Sequence, residues 1–313
     1  MAGDLSKTMQ FGSLTKALKD VVAIPVTPYR DGEIDVDTFQ SLVRRLVDNG
    51  LNVVTPNGNT SEFYALDGQE RQTLIRAAVA AVNGEAQVLV GIGLDRKTAV
   101  ADAELAQTEG AQLAMIHQPV HPHITPEGWL DYHESIANAL PEMGFVPYIR
   151  NGYVTGELLR RLGERCPNII GIKYALPDAA AFAEVREEAG PDRFAWLAGL
   201  AEPYALSYAA HGADGFTSGL ANVNPRLSLN LRDLLRARDF NSADVLLRRI
   251  APFERMRSVG NSGNNVSVVK EALCQLGLCD RAIRPPSRVL AEPERETVAG
   301  ILQQWHEAEV AVA

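Results

Sequence analysis

The chain has 313 residues, about twice the size of a common domain, so it holds either two domains or one large α/β barrel. Thirty Lys and Arg against 39 Asp and Glu leave a net charge of −9, which argues against non-specific affinity for nucleic acid or for an anionic membrane face. An apolar fraction of 46% with 22% charged residues excludes disorder and supplies enough side chains for a large core. Cys166, Cys274 and Cys279 are an odd number without paired spacing, which suits a reducing compartment rather than a disulfide framework. Residues 1–10 lack the apolar stretch and cleavage site of a signal peptide, and no apolar run approaches the ~18 residues of a membrane span. The expectation is a soluble, cytoplasmic protein that engages neither nucleic acid nor membrane.

In chain order, short apolar and β-branched runs predict strands at 21–27, 52–57, 87–92, 113–118, 144–150, 169–175, 194–199 and 215–218. Stretches with helical periodicity lie between them, at 35–48, 69–82, 96–108, 126–140, 155–164, 178–188 and 203–210. Asp35 and Thr155 sit at N-cap positions, and Pro126 fits a first helical turn after Thr125. Glycines such as Gly50, Gly84, Gly110 and Gly212 stand where helices should stop. Eight alternating strand–helix units predict a closed (β/α)8 TIM barrel. The structural rival, an open doubly wound sheet, needs a glycine-rich first turn, and Pro25-Val26-Thr27-Pro28 is not one. Helical stretches at 225–238, 242–256, 266–276 and about 292–310 follow, read as the last barrel helix and a C-terminal helical appendage. The layout is thus an N-terminal extension (1–20), the barrel (21–238) and a C-terminal helical region (239–313).

Barrel enzymes carry their chemistry at the C-terminal ends of strands, which directs attention to Lys173 in the sixth strand. Period-two alternation puts Ile170, Ile172 and Tyr174 on the outer face and Ile169, Gly171, Lys173 and Ala175 inside, with Gly171 leaving room for the lysine stem. An inward lysine is costly unless neutral or paired. At an ordinary pKa of ~10.4 only about one amine in 2,500 is neutral at pH 7, and desolvation to roughly 7.5 makes about a quarter nucleophilic. That suits a Schiff-base lysine attacking a ketone. The alternative is a strand-end lysine that reaches solvent or pairs with a carboxylate.

In the fifth strand, Phe145, Pro147 and Ile149 form the outer set and Val146, Tyr148 and Arg150 the inner one. Iminium formation needs a proton donor to expel water from the carbinolamine, and a phenol beside the lysine can supply it. The planar fork of Arg150 could hold a substrate carboxylate. A tyrosine in this position could equally be a core residue with a satisfied hydroxyl. The second strand ends in Pro56-Asn57-Gly58-Asn59-Thr60-Ser61-Glu62, a glycine turn whose N–H groups and hydroxyls could cradle a carboxylate or phosphate, though such clusters are also ordinary loop chemistry.

Together these motifs resemble the dihydrodipicolinate synthase / N-acetylneuraminate lyase family of class I aldolases, from about residue 21 to 278. The resemblance rests on Pro25-Val26-Thr27-Pro28 with Asp31-Gly32 behind it, Gly58-Asn59-Thr60-Ser61-Glu62, Gly91-Ile92-Gly93, and Pro119 with Glu127-Gly128. It continues through Tyr148, Gly171-Ile172-Lys173, and the run from Gly212 to Ser218 leading to Ala221-Asn222-Val223-Asn224-Pro225. It implies that Lys173 forms the Schiff base with pyruvate or another 2-oxo acid and that Tyr148 transfers protons. Asn59 and Thr60 fall where the family binds the keto-acid carboxylate, with Arg150 and Ser218 as further substrate-binding candidates. No metal or organic cofactor and a homotetramer built from tight dimers are also implied.

Some positions depart from the synthase pattern. The arginine expected five residues after the strand-five tyrosine is Tyr153, and the relay positions taken by a threonine and a neighbouring subunit's tyrosine are Asn59 and His121. A Tyr148–Asn59–His121 relay could still move protons, because imidazole titrates near neutrality. Tyr148-Ile149-Arg150-Asn151 looks closer to the decarboxylating 5-dehydro-4-deoxyglucarate dehydratases, as do Glu62-Phe63-Tyr64-Ala65-Leu66 and Val266-Ser267-Val268-Val269-Lys270. Lys270 itself is expected on a helix surface. His117, His121 and His123 invite a metal hypothesis, but no cysteine or nearby carboxylate joins them, which favours a lid or subunit contact. A non-catalytic barrel that senses a sugar acid is the remaining alternative, and it would need neither Lys173 nor Tyr148.

Overall fold

The computed structural model describes residues 11–310, so the first ten residues of the expected N-terminal extension lie outside the described part. Residues 11–18 form helix α1, followed by β1 (Val21–Ala23), a hairpin of β2 (Tyr29–Arg30) and β3 (Glu33–Ile34), and α2 (Val36–Asp48). The chain continues through β4 (Val53–Val54), α3 (Gly68–Val82), β5 (Gln87–Ile92), α4 (Arg96–Glu109), β6 (Leu113–Ile116) and α5 (Pro126–Ala137). Next come β7 (Gly144–Ile149), α6 (Gly156–Arg165), β8 (Gly171–Tyr174), α7 (Ala179–Ala189), β9 (Ala195–Ala198), α8 (Glu202–Ala210) and β10 (Gly215–Ser218). Helices α9 (Pro225–Arg236), α10 (Phe240–Ser262), α11 (Asn265–Gln275) and α12 (Glu292–Val310) complete the described chain. Strands β1 and β4 to β10 close into a parallel barrel, with β10 pairing back to β1. This is the (β/α)8 barrel with C-terminal helices that the alternation of elements predicts. No described helix is long and apolar enough to cross a membrane.

The first two barrel strands are shorter than the apolar runs suggest. Pro25, Pro28 and Pro56 lack the N–H a ladder needs, and Asn57 turns the chain with φ 59°. The hairpin β2–β3 escapes a reading based on apolar runs. Its turn, Asp31 at φ 53° and Gly32 at φ 88°, has the left-handed backbone that Asp-Gly favours in two-residue hairpins. The caps are as predicted: Asp35 accepts from the Thr38 N–H, Thr155 from the Leu158 N–H, and Pro126 opens α5 behind Thr125.

Alternation divides the strand side chains into two layers. Val21, Ala23, Val54, Ile172, Tyr174 and Trp196 pack outward against the helices. Val22, Val53, Leu89, Met115, Val146 and Leu197 fill the barrel, and Phe11, Leu14 and Leu18 of α1 close the same cluster. Residues 11–18 are therefore the plug at the N-terminal end of the barrel. The sixth barrel strand, β8, corrects the expected alternation. Ile169 belongs to the outer layer and Ile170 to the interior. Ile169 pairs with Phe145, an offset of 24 (169 − 145), whereas Lys173 pairs with Tyr148, an offset of 25 (173 − 148). One extra residue on the lysine strand is a bulge, which inverts the facing of the residues before it.

The C-terminal helices pack on the barrel through a third cluster that includes Val26, Leu42, Phe253, Val268, Val269 and Trp305. Here Lys270 is fully buried rather than at a helix surface, with its Nζ 2.5 Å from Glu62 Oε1, 2.7 Å from the Ala282 carbonyl oxygen and 4.1 Å from the centre of the Tyr29 ring. Helix α11 is buried continuously from Val266 to Leu273, so it has no solvent face on which to carry a lysine.

Candidate active site

Lys173 and Tyr148 are direct cross-strand partners on β8 and β7, and both are buried, at 2% and 5% exposure. The lysine Nζ stands 4.0 Å from the centre of the phenol ring. The space for its stem comes from Gly199, where an added Cβ would lie 3.0 Å from Lys173 Cγ and 2.9 Å from the Tyr174 carbonyl oxygen. Gly171, expected from its place in the strand to fill that role, instead adjoins Leu18, Val146 and the Ala195 carbonyl. Burial pulls the Lys173 pKa down to about 7, and the Arg150 charge pulls the same way. Near neutral pH about half of this amine is therefore unprotonated and nucleophilic. Burial pushes the Tyr148 phenol above its usual value, opposed by Arg150 and by the hydrogen bond from Asn59. The phenol thus holds its proton and can donate it.

The turn after β4 reaches across the barrel mouth to this pair. The Asn59 side-chain amide donates to the Tyr148 hydroxyl oxygen at 3.2 Å. Thr60 is buried beside it, and among the described residues no hydrogen-bond partner occupies its hydroxyl. The turn is held from below: the Ser61 hydroxyl donates to the Pro25 carbonyl at 2.6 Å, and the Thr27 hydroxyl to the Ser61 carbonyl at 2.7 Å. Gly91 is required by the same turn, because a Cβ there would meet the Asn57 carbonyl oxygen at 2.0 Å.

The expected relay through His121 is not assembled within the chain. His121 is exposed, and its Nδ1 accepts the His123 N–H at 3.1 Å inside its own loop. His117 approaches Tyr148 instead. It stacks on Phe63 with ring centres 4.0 Å apart, presents an edge to Tyr148 at 6.1 Å, and hydrogen-bonds the Asn57 carbonyl through Nε2 at 2.8 Å. Complete burial lowers its pKa to about 3, so it is neutral with the proton on Nε2 and a bare Nδ1. His117 is thus separated from the exposed His121 and His123. Among the described residues no group of three or more His, Cys, Asp or Glu is placed to hold a metal.

Arg150 lies just past β7, exposed, and no hydrogen bond or ion pair with a described residue engages its guanidinium. Its charge acts on Lys173, Tyr148, His117 and Tyr64, which locates it at the mouth of the site. Tyr153 is tied to Gln118, whose amide donates to its hydroxyl at 2.9 Å. Ser218 is not brought to the lysine. It shares the outward side of β10 with Phe216, and its hydroxyl bonds Glu202 at 2.5 Å and the Ser228 hydroxyl at 3.0 Å. The neighbouring Thr217 is the residue of β10 that alternation turns inward. Glu202 is fully enclosed, and burial raises its pKa to about 7. Sequence reasoning missed Gly199, and it grouped His117 with His121 and His123 as a lid or subunit contact rather than setting it beside Tyr148. A glycine just past the C-terminal end of β9, the strand that follows the lysine strand, was the available signal for Gly199.

Comparison with known proteins gives the chain a family and its fold solved counterparts. The model of the dihydrodipicolinate synthetase family matches residues 17–305. A probable 5-dehydro-4-deoxyglucarate dehydratase of Polaromonas naphthalenivorans is 28% identical, over 90% of this chain and 94% of its own. A 4-hydroxy-tetrahydrodipicolinate synthase of Phenylobacterium zucineum is 29% identical, over 91% of this chain and 96% of its own. The crystal structure of dihydrodipicolinate synthase from Bacillus clausii superposes with a TM-score of 0.90 at 37% identity, covering 94% of this chain and 99% of that one. The corresponding enzyme from Oceanobacillus iheyensis gives 0.91 at 34% identity, covering 95% and 99%.

Proposed function

Because this chain belongs to the dihydrodipicolinate synthetase family of lyases, we propose that it forms a Schiff base between Lys173 and pyruvate or a related 2-oxo acid. The observation that carries this reading is a buried amine with a pKa of about 7 paired across the ladder with a buried phenol. In the proposed reaction the neutral amine adds to the C2 carbonyl, and Tyr148 delivers its proton to the carbinolamine oxygen as water leaves. Asn59 holds the phenol oxygen in place, while the Asn59–Thr60 backbone and the Thr60 hydroxyl receive the substrate carboxylate. No metal or organic cofactor is required for these steps. A cytoplasmic homotetramer, with His121 offered to a neighbouring copy, completes the reading.

A second reading, decarboxylating dehydration of a 5-dehydro-4-deoxyglucarate-like acid, is favoured by Arg150. A guanidinium at the mouth that pairs with no described residue suits a substrate with a second carboxylate, and Tyr153 falls where the resemblance to the synthases expects an arginine.

Borohydride reduction in the presence of pyruvate, followed by peptide mass analysis, tests the shared chemistry. The expected result is one reduced adduct on Lys173; an unmodified Lys173 at saturating pyruvate overturns the proposal. Once trapping is established, assay of aldol addition against carbon dioxide release from hexarate-derived 2-oxo acids separates the two branches.

A further inference from the structure

The Schiff-base chemistry does not account for the buried pair of Glu62 and Lys270. Residues 58–62 form one tight unit: the Ser61 and Phe63 N–H groups donate to the Gly58 carbonyl at 3.0 and 3.3 Å, and the Glu62 N–H donates to the Asn59 carbonyl at 3.1 Å. Glu62 therefore cannot shift independently of Asn59. Its backbone is left-handed, φ 62°, and its carboxylate is buried. One oxygen accepts the Arg284 N–H at 3.1 Å, and the other faces Lys270 Nζ at 2.5 Å. The fold thus places a carboxylate immediately behind the turn that is read as the receptor for an anionic substrate. Charges in a buried setting are weakly screened, so a bare Glu62 would oppose the arriving carboxylate.

We propose that Lys270 is a positioning residue that neutralises Glu62, so that the turn at Asn59 and Thr60 can accept an anionic 2-oxo acid. Helix α11 thereby becomes part of the binding apparatus although it touches no substrate. The chain as a whole carries a charge of −9, so attraction of an anion depends on local cancellation of this kind. The Ala282 carbonyl and the face of Tyr29 satisfy the remaining ammonium directions, which keeps the cation in place when the site is empty. This inference rests on the reading that Asn59 and Thr60 hold the substrate carboxylate.

The test titrates pyruvate in the borohydride trapping reaction for the wild-type chain, Lys270→Met, Glu62→Gln and the double variant. It records the adduct stoichiometry at saturation and the half-saturating concentration. Absence of an adduct in the wild type defeats the underlying reading before any variant is considered. With trapping established, Lys270→Met should still reach full stoichiometry but need about tenfold more pyruvate, equivalent to ~1.4 kcal/mol. Glu62→Gln, which keeps the shape and removes the charge, should stay within threefold of wild type or bind more tightly. The double variant should likewise return to within threefold. A half-saturation unchanged in Lys270→Met, or raised tenfold in Glu62→Gln or the double variant, overturns the proposal. If Lys270→Met does not fold, Glu62→Gln and the double variant decide the matter by the same threefold and tenfold limits.

Discussion

Lys173 Nζ lies 4.0 Å from the centre of the Tyr148 ring, with the two residues in direct register across β7 and β8. The ring face favours the ammonium form, whereas enclosure and the nearby Arg150 favour the free amine. The second influence prevails, and the pKa falls to about 7. The rate of adduct formation should therefore rise about tenfold per pH unit below 7 and level off above it. Quenched trapping between pH 5 and 9 measures this, and a midpoint at 9 or higher would mean that Lys173 behaves as an ordinary surface amine.

Arg150 contributes to that depression, and the sign of its removal follows. Losing the guanidinium removes a charge that repels the ammonium, so the proton is held more tightly and the Lys173 pKa rises. In Arg150→Gln the midpoint of the trapping profile should move to higher pH, and less amine should be free at pH 7. The same variant should lose more affinity for a 2-oxo diacid than for pyruvate. A profile that stays in place, with both acids equally affected, would remove Arg150 from the site.

Tyr148→Phe keeps the ring beneath the lysine and deletes the proton donor that Asn59 orients. Adduct formation should slow by about 10²–10³-fold, the scale of a positioned acid–base group. Pyruvate binding should change little, since the turn at Asn59 and Thr60 remains. Formation at the wild-type rate would assign the proton transfer to another group.

The barrel and the inward, buried placement of Lys173 were legible because each rests on a local pattern. Strand–helix alternation fixes the topology, and an inward Lys173 follows from the three residues 171–173. What the sequence left unread depends on contacts between distant segments. The bulge in β8 shows only in the change of register against β7, so Ile169 and Ile170 exchange the sides that simple alternation gives them. Lys270 reads as a surface residue because its partner, Glu62, lies 208 positions away. The uninterrupted burial of α11 has a faint trace in Val266-Ser267-Val268-Val269, too apolar for a half-exposed helix. Ser218 joins the site by motif alone, and strand parity sends it to the opposite side, toward Glu202.

Gly91 and Gly300 make opposite predictions from the same substitution. At Gly91 an added methyl would stand 2.0 Å from the Asn57 carbonyl oxygen and 3.0 Å from His117 Nε2, two atoms already joined by a 2.8 Å hydrogen bond. The carbonyl belongs to a turn braced through Ser61 and Thr27, so it cannot withdraw without moving Asn59 as well. Overpacking of this kind costs ~1–3 kcal/mol, and a broken buried hydrogen bond about as much again. Gly300 lies within α12 with nothing within 4 Å of the added methyl and with no left-handed backbone to preserve. There alanine should stabilise by ~0.5–1 kcal/mol through helix propensity. Urea unfolding of the two variants checks both signs, and trapping kinetics add a second measure. Gly91→Ala should lose adduct formation along with stability, because the methyl displaces the turn that orients Tyr148, whereas Gly300→Ala should trap pyruvate at the wild-type rate. A Gly91→Ala chain that kept wild-type stability would show that the turn after β4 can move without cost and would separate its geometry from that of Tyr148.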